Sequence, residues 1–134
     1  MLLTLDIGSR KNKLPAGKII FNNKVIHSGE YTKNQFVLPQ IVGSNELSIT
    51  LDNKSDKDTV VQGNQILEDV FVVIKDLKCE ITDESLNDFD TIGTYITDKN
   101  ENLKTFGYLS YNGTYKLIFD YPIFVFKKNK IFYQ

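Results

Sequence analysis

The sequence predicts an all-β fold, an antiparallel β-sandwich of jelly-roll type, as a single domain over residues 1–134. Three observations carry this. Composition is hostile to helices: Ala16 is the one alanine in 134 residues, against fourteen Ile and twelve Asn, and alanine is the best helix former. Apolar residues alternate with polar ones in short runs, the period of a half-buried strand. Turn residues punctuate the chain at roughly 8–12-residue intervals, the spacing of sandwiches and barrels.

The elements follow in order. Leu3, Leu5 and Ile7 alternate with Thr4 and Asp6, predicting a first strand. Residues 8–17 are polar and basic and read as a loop. Lys18–Phe21 and Lys24–His27 flank Asn22-Asn23, a hairpin in which Asn tolerates the positive φ that a two-residue turn demands. Gln35–Leu38 is a short strand ended by Pro39, and Glu46–Leu51 alternates as another. Asp69–Ile81 is long and rich in β-branched residues, apolar on both faces in its first half. It therefore reads as a central strand covered partly on both sides. Thr82 or Asp83 capping a turn over Asp83–Asp88 is the one helical signal. Gly93–Thr97, Leu103–Leu109 (interrupted at Gly107) and Tyr115–Phe119 continue the strands, with Asn112-Gly113 as the strongest turn dipeptide. Pro122 places Ile123–Lys127 at a sheet edge, and Ile131–Tyr133 closes a last hairpin.

Composition also limits function. The net charge of -1 argues against a protein that lives on nucleic-acid phosphates. A single cysteine, Cys79, and a single histidine, His27, rule out a disulfide framework and Cys- or His-rich metal sites. No Gly-x-Ser-x-Gly elbow or phosphate loop occurs, and Asp83, Glu84, Asp88 and Asp90 have no spacing that sets a catalytic distance. The expectation is a chain that is not an enzyme. Met1–Ile7 is too short, and too early broken by Asp6, for a secretion leader, and no apolar run approaches the ~18 residues of a membrane span. The chain is expected to be made in a cytoplasm.

Carboxylates and aromatics remain as candidate functional groups. Asp52, Asp56, Asp58 and Asp69 could offer oxygen ligands to a hard cation such as calcium, although the ligand order of an EF-hand is missing and Lys54 and Lys57 interleave. Ten aromatics crowd residues 106–133. Core packing uses most of them, and the surplus on an outer face, Tyr108 and Tyr111 above all, could stack on sugar rings or fill a subunit interface.

Two segments carry a resemblance. One is Asn53–Thr59 followed by Gly63–Asp69 and the strand ending in Leu77-Lys78-Cys79. The other is Phe106-Gly107-Tyr108 through Tyr111–Tyr115 to Tyr121–Phe124. Together, over about residues 46–126, they resemble small uncharacterised proteins of tailed bacteriophages, similar in shape to carbohydrate-binding modules of the calcium-dependent xylan-binding type. Tyr115 stands where that pattern would have Trp. The resemblance implies a β-sandwich attached to a virion. The leading expectation is thus a non-enzymatic structural or accessory subunit (tail, fibre-associated or capsid-decorating) whose partners are other virion proteins or itself. The alternative is a carbohydrate-binding module, calcium-assisted through the aspartates, with Tyr108 and Tyr111 facing a glycan.

Overall fold

The computed structural model describes residues 1–86, 89–104 and 107–123, with the side chains at 56, 60, 66–68, 90 and 91 outside the description. The strands are β1 (Leu2–Gly8), β2 (Ala16–Phe21), β3 (Lys24–Glu30), β4 (Gln35–Val37), β5 (Gly43–Leu51), β6 (Val60–Gln62) and β7 (Gln65–Glu68). They continue as β8 (Phe71–Cys79), β9 (Glu84–Leu86), β10 (Gly93–Thr97), β11 (Asn102–Leu103), β12 (Tyr108–Leu109) and β13 (Gly113–Tyr121). Helical backbone among the described residues amounts to a 3-10 turn at Asp56–Asp58 and a four-residue turn at Phe89–Ile92. No helix among them is long and apolar enough to cross a membrane.

The fold is all-β, and every strand pairing among the described residues is antiparallel. One sheet runs β12-β8-β1-β4, with β9 also on β8. A second runs β11-β10-β13-β5-β2-β3, and β6-β7 form a separate ribbon. Alternation decides which face each strand buries. Leu3 and Leu5 of β1, Ile19 and Phe21 of β2, Leu47 and Ile49 of β5, and Tyr115 and Leu117 of β13 all enter one hydrophobic cluster drawn from both large sheets. Burying each such side chain stabilises by about 1.5–3 kcal/mol.

β8 is central in its sheet, as its composition predicts. It pairs with β1 along its length and takes β12 at Val72–Val73 and β9 at Leu77–Cys79. Its mixed hydrophobic pattern has a local cause. Thr4 partners Asp76 while Leu5 partners Ile74, leaving Lys75 as the extra residue of a bulge. The bulge re-phases the strand, so the buried set is Val72 and Ile74, then Leu77 and Cys79.

The Asn22-Asn23 hairpin forms as predicted, with φ of 50° and 67° at the two turn residues and Phe21 paired to Lys24. The helical turn predicted over 83–88 does not form at residues 83–86. Asp83 turns with φ 57°, the Thr82 hydroxyl donates to the Ile123 carbonyl at 2.6 Å, and Glu84–Leu86 returns as a strand against β8. Asn87 and Asp88 lie outside the described residues. So do Phe106, residues 124–127 of the predicted edge strand, and the predicted last hairpin.

Candidate functional site

A cleft of about 780 Å³ opens where the loop after β5, the start of β8, the β10–β11 loop and the β12–β13 bend meet. Lys54, Thr59, Asp69, Asp98, Glu101, Tyr108, Tyr111 and Asn112 are among its walls. Three residues singled out from sequence, Asp69, Tyr108 and Tyr111, therefore converge, although up to 42 positions separate them in the chain.

Asp69 sits just ahead of β8 with its side chain 6% exposed. Its Oδ1 lies 2.7 Å from Lys54 Nζ and accepts the Thr59 hydroxyl at 2.7 Å and the Val70 N–H at 2.9 Å. Tyr108 Oη donates to Oδ2 at 3.3 Å. A buried carboxylate needs such partners, because an uncompensated one costs several kcal/mol. Tyr108 is set by the pairing of β12 with β8, and its ring stacks on Phe71 with centroids 4.9 Å apart. Burial, and then the negative charge of Asp69, pushes its phenol up to about 12, so the hydroxyl is a donor at neutral pH.

Lys54 Nζ also donates to the Ser110 carbonyl at 2.5 Å and lies 5.9 Å from the centre of the Tyr111 ring. Its backbone is clasped by Asn112, whose Oδ1 accepts the Lys54 N–H at 2.8 Å and whose Nδ2 donates to the Lys54 carbonyl at 2.9 Å. The Tyr111 backbone is fixed from the other side. Tyr95 Oη donates to its carbonyl and accepts its N–H. The Tyr111 ring is left 60% exposed over the cleft. A rigid bend thus presents a bare aromatic face beside an ammonium.

The other predicted aspartates go elsewhere. Asp58 ends the 3-10 turn, where its Oδ2 accepts Lys13 Nζ and the Ser55 N–H at 2.5 and 2.8 Å. Burial pushes its carboxyl up, but those bonds outweigh burial and hold it below the ordinary carboxylate range. Asp52 is exposed on a neighbouring cleft of about 620 Å³, with Lys18, Thr50 and Lys116. The side chain of Asp56 is outside the description. Among the described residues, which leave out the Asp56 side chain, no three His, Cys, Asp or Glu side chains form a group able to hold a metal. Lysines pair with two of these aspartates, Lys13 from the loop after β1 on Asp58 and the interleaved Lys54 on Asp69.

The neighbouring cleft shares Thr97, Asp98 and Asn112 with the first, so the two adjoin. His27 is a packing residue on the edge strand β3, stacked on Tyr31 at 4.9 Å and edge-on to Phe36 at 5.3 Å. Cys79 is fully buried. Lys54, Asp98, Glu101 and Asn112 are cleft residues that sequence reasoning passed over. For Lys54 and Asn112 the signals were present: a lysine inside an acidic run, and an Asn-Gly bend beside Tyr111. Neither Asn112 nor Gly113 takes positive φ, and the amide serves as a clasp instead of a hairpin turn. Comparison with protein-family models, curated proteins and solved structures gives no match in any of the three.

Proposed function

We propose that this chain is a non-enzymatic binding domain, a jelly-roll-like β-sandwich whose cleft takes a saccharide chain. One observation carries the reading: Tyr108 and Tyr111, both solvent-accessible, line the same cleft as Asp98, Glu101 and Asn112. Flat aromatic faces cover the CH faces of sugar rings, while side-chain carboxylates and amides accept and donate to ring hydroxyls. Concave sites of several hundred Å³ with a few convergent polar groups are the usual form of small-ligand pockets. The adjoining second cleft favours an extended ligand over a single ring, since a chain leaving Tyr111 meets Asn112 and Thr97 and then the face bearing Lys18 and Lys116. The sandwich arrangement is supported by the single hydrophobic cluster that both large sheets share.

A polysaccharide and oligosaccharide array, read with the wild-type chain and with Tyr111→Ala, tests this. Retention of at least one glycan class, weakened roughly tenfold or more by the substitution, is the expected result. A blank array, or binding that ignores the loss of Tyr111, removes the saccharide.

A second reading, a structural or accessory subunit of a tailed-phage virion, draws on the resemblance over residues 46–126 and on one exposed feature. Beside the edge strand β4, Val37, Ile41 and Val42 are 74%, 45% and 80% exposed. Apolar side chains beside a strand that ends its sheet among the described residues suit burial against other virion proteins or a second copy. Sedimentation of the wild type and Val42→Glu discriminates. Assembly lost in the variant supports this reading, and a monomer at all concentrations that is also missing from virions removes it.

A further inference from the structure

A calcium-assisted site on the aspartates is one expectation from the sequence, and Asp69 is the most enclosed carboxylate of the cleft. The residues around it do not fit that ion. Its Oδ1 is met by the Thr59 hydroxyl at 2.7 Å and by the Val70 N–H at 2.9 Å. Both are hydrogen donors, and each takes up lone-pair capacity of that oxygen. The third group on Oδ1, at 2.7 Å, is the Lys54 ammonium, and the two side chains are only 6% and 11% exposed. That ammonium reaches the Ser110 carbonyl at 2.5 Å and faces the Tyr111 ring at 5.9 Å. A carboxylate, a carbonyl and a π-face are what a cation seeks, and here one covalently tethered cation meets all three. The arrangement repeats nearby, where Lys13 Nζ sits 2.5 Å from the 6%-exposed carboxylate of Asp58.

We propose that the Lys54 ammonium is the resident cation of this cleft, held between the Asp69 carboxylate and the Ser110 carbonyl in place of a metal ion. The cleft is then assembled without metal, and its wall between the loop after β5 and the β12–β13 bend is bridged by a side chain. The substitution holds whatever ligand the cleft takes, and its test needs none.

Calorimetric titration with calcium chloride alone, together with thermal unfolding in calcium and in EDTA, is applied to the full chain and to Lys54→Ala. The wild type is expected to give no binding heat and the same Tm in both buffers. Lys54→Ala is expected to melt roughly 10–20 °C lower in EDTA, because Asp69 loses its counter-charge, and to recover part of that loss in calcium. If the alanine variant does not fold in EDTA, its yield of folded protein on refolding with calcium against EDTA reads the same property. Calcium binding by the wild type that disappears in Asp69→Asn overturns the proposal. So does an alanine variant whose Tm, or refolding yield, is indifferent to calcium.

Discussion

Asn112 and Lys54 bind each other twice, amide oxygen to backbone N–H at 2.8 Å and amide nitrogen to backbone carbonyl at 2.9 Å. Both bonds are half-buried, and they join segments 58 residues apart. Asn112→Ala is expected to cost about 1–3 kcal/mol in urea unfolding, since two backbone groups lose their partners. Asn112→Asp keeps an acceptor but sets a carboxylate against the Lys54 carbonyl. Its deficit at neutral pH should shrink as the pH falls through the carboxylate range, because protonation restores a donor.

The Lys54–Asp69 pair is open to a double-mutant cycle. Removing either partner alone, as Lys54→Met or Asp69→Leu, is expected to cost about 3–5 kcal/mol by leaving a buried charge uncompensated. The double variant should lose much less than the sum. Equilibrium unfolding of the four proteins gives the coupling directly, and additive losses would contradict the enclosed geometry.

Alkaline pH should weaken the fold through its buried phenols. Burial raises Tyr95 and Tyr108 to about 12, and Tyr31 higher still. A phenol raised in the folded state keeps its proton while the unfolded one, near 10, gives it up. Its contribution is therefore whole below about pH 10 and is lost as the pH climbs towards about 12. Urea midpoints across that window should fall with rising pH. Phenolate absorbance of the native protein should show these tyrosines ionising late, and a flat midpoint would contradict the burial.

The β2–β3 hairpin offers substitutions of opposite sign. Asn23 holds φ 67° with its neighbour Asn22 at 50°, so Asn23→Gly should stabilise by about 0.5 kcal/mol, glycine being the easier residue there. Gly17 of the same hairpin has no room for a methyl group, because a Cβ would run into the Thr50 carbonyl on β5. Gly17→Ala should cost about 1–3 kcal/mol. Thermal unfolding of the two variants checks both directions.

Local chemistry was legible in the sequence, and long-range assembly was not. Asn22-Asn23 announces its turn because the conformation is a property of those two residues. Leu3 and Leu5 announce β1 because alternation needs no partner to be read. The aromatic surplus pointed to Tyr108 and Tyr111, and acidity pointed to Asp69. What could not be read was that Lys54 reaches Asp69. That depends on β12 pairing with Val72–Val73 and on β13 lying beside β5 from Gly113–Leu51 to Tyr121–Gly43. The same limit explains the missed strand at Glu84–Leu86. Thr82 and Asp83 have the chemistry of a helix cap, and only the Ile123 carbonyl and the pairing of Glu84–Leu86 with β8 turn them into a return bend.

The clasp between Asn112 and Lys54 has a kinetic consequence. Closing a loop of 58 residues is entropically costly until the strands on either side have found their registers. The cleft is thus expected to form after the β13–β5 and β8–β12 pairings that flank it. Occupancy of the cleft would count only molecules in which those pairings are in place, so a ligand captured during synthesis or refolding would mark the moment at which they are complete.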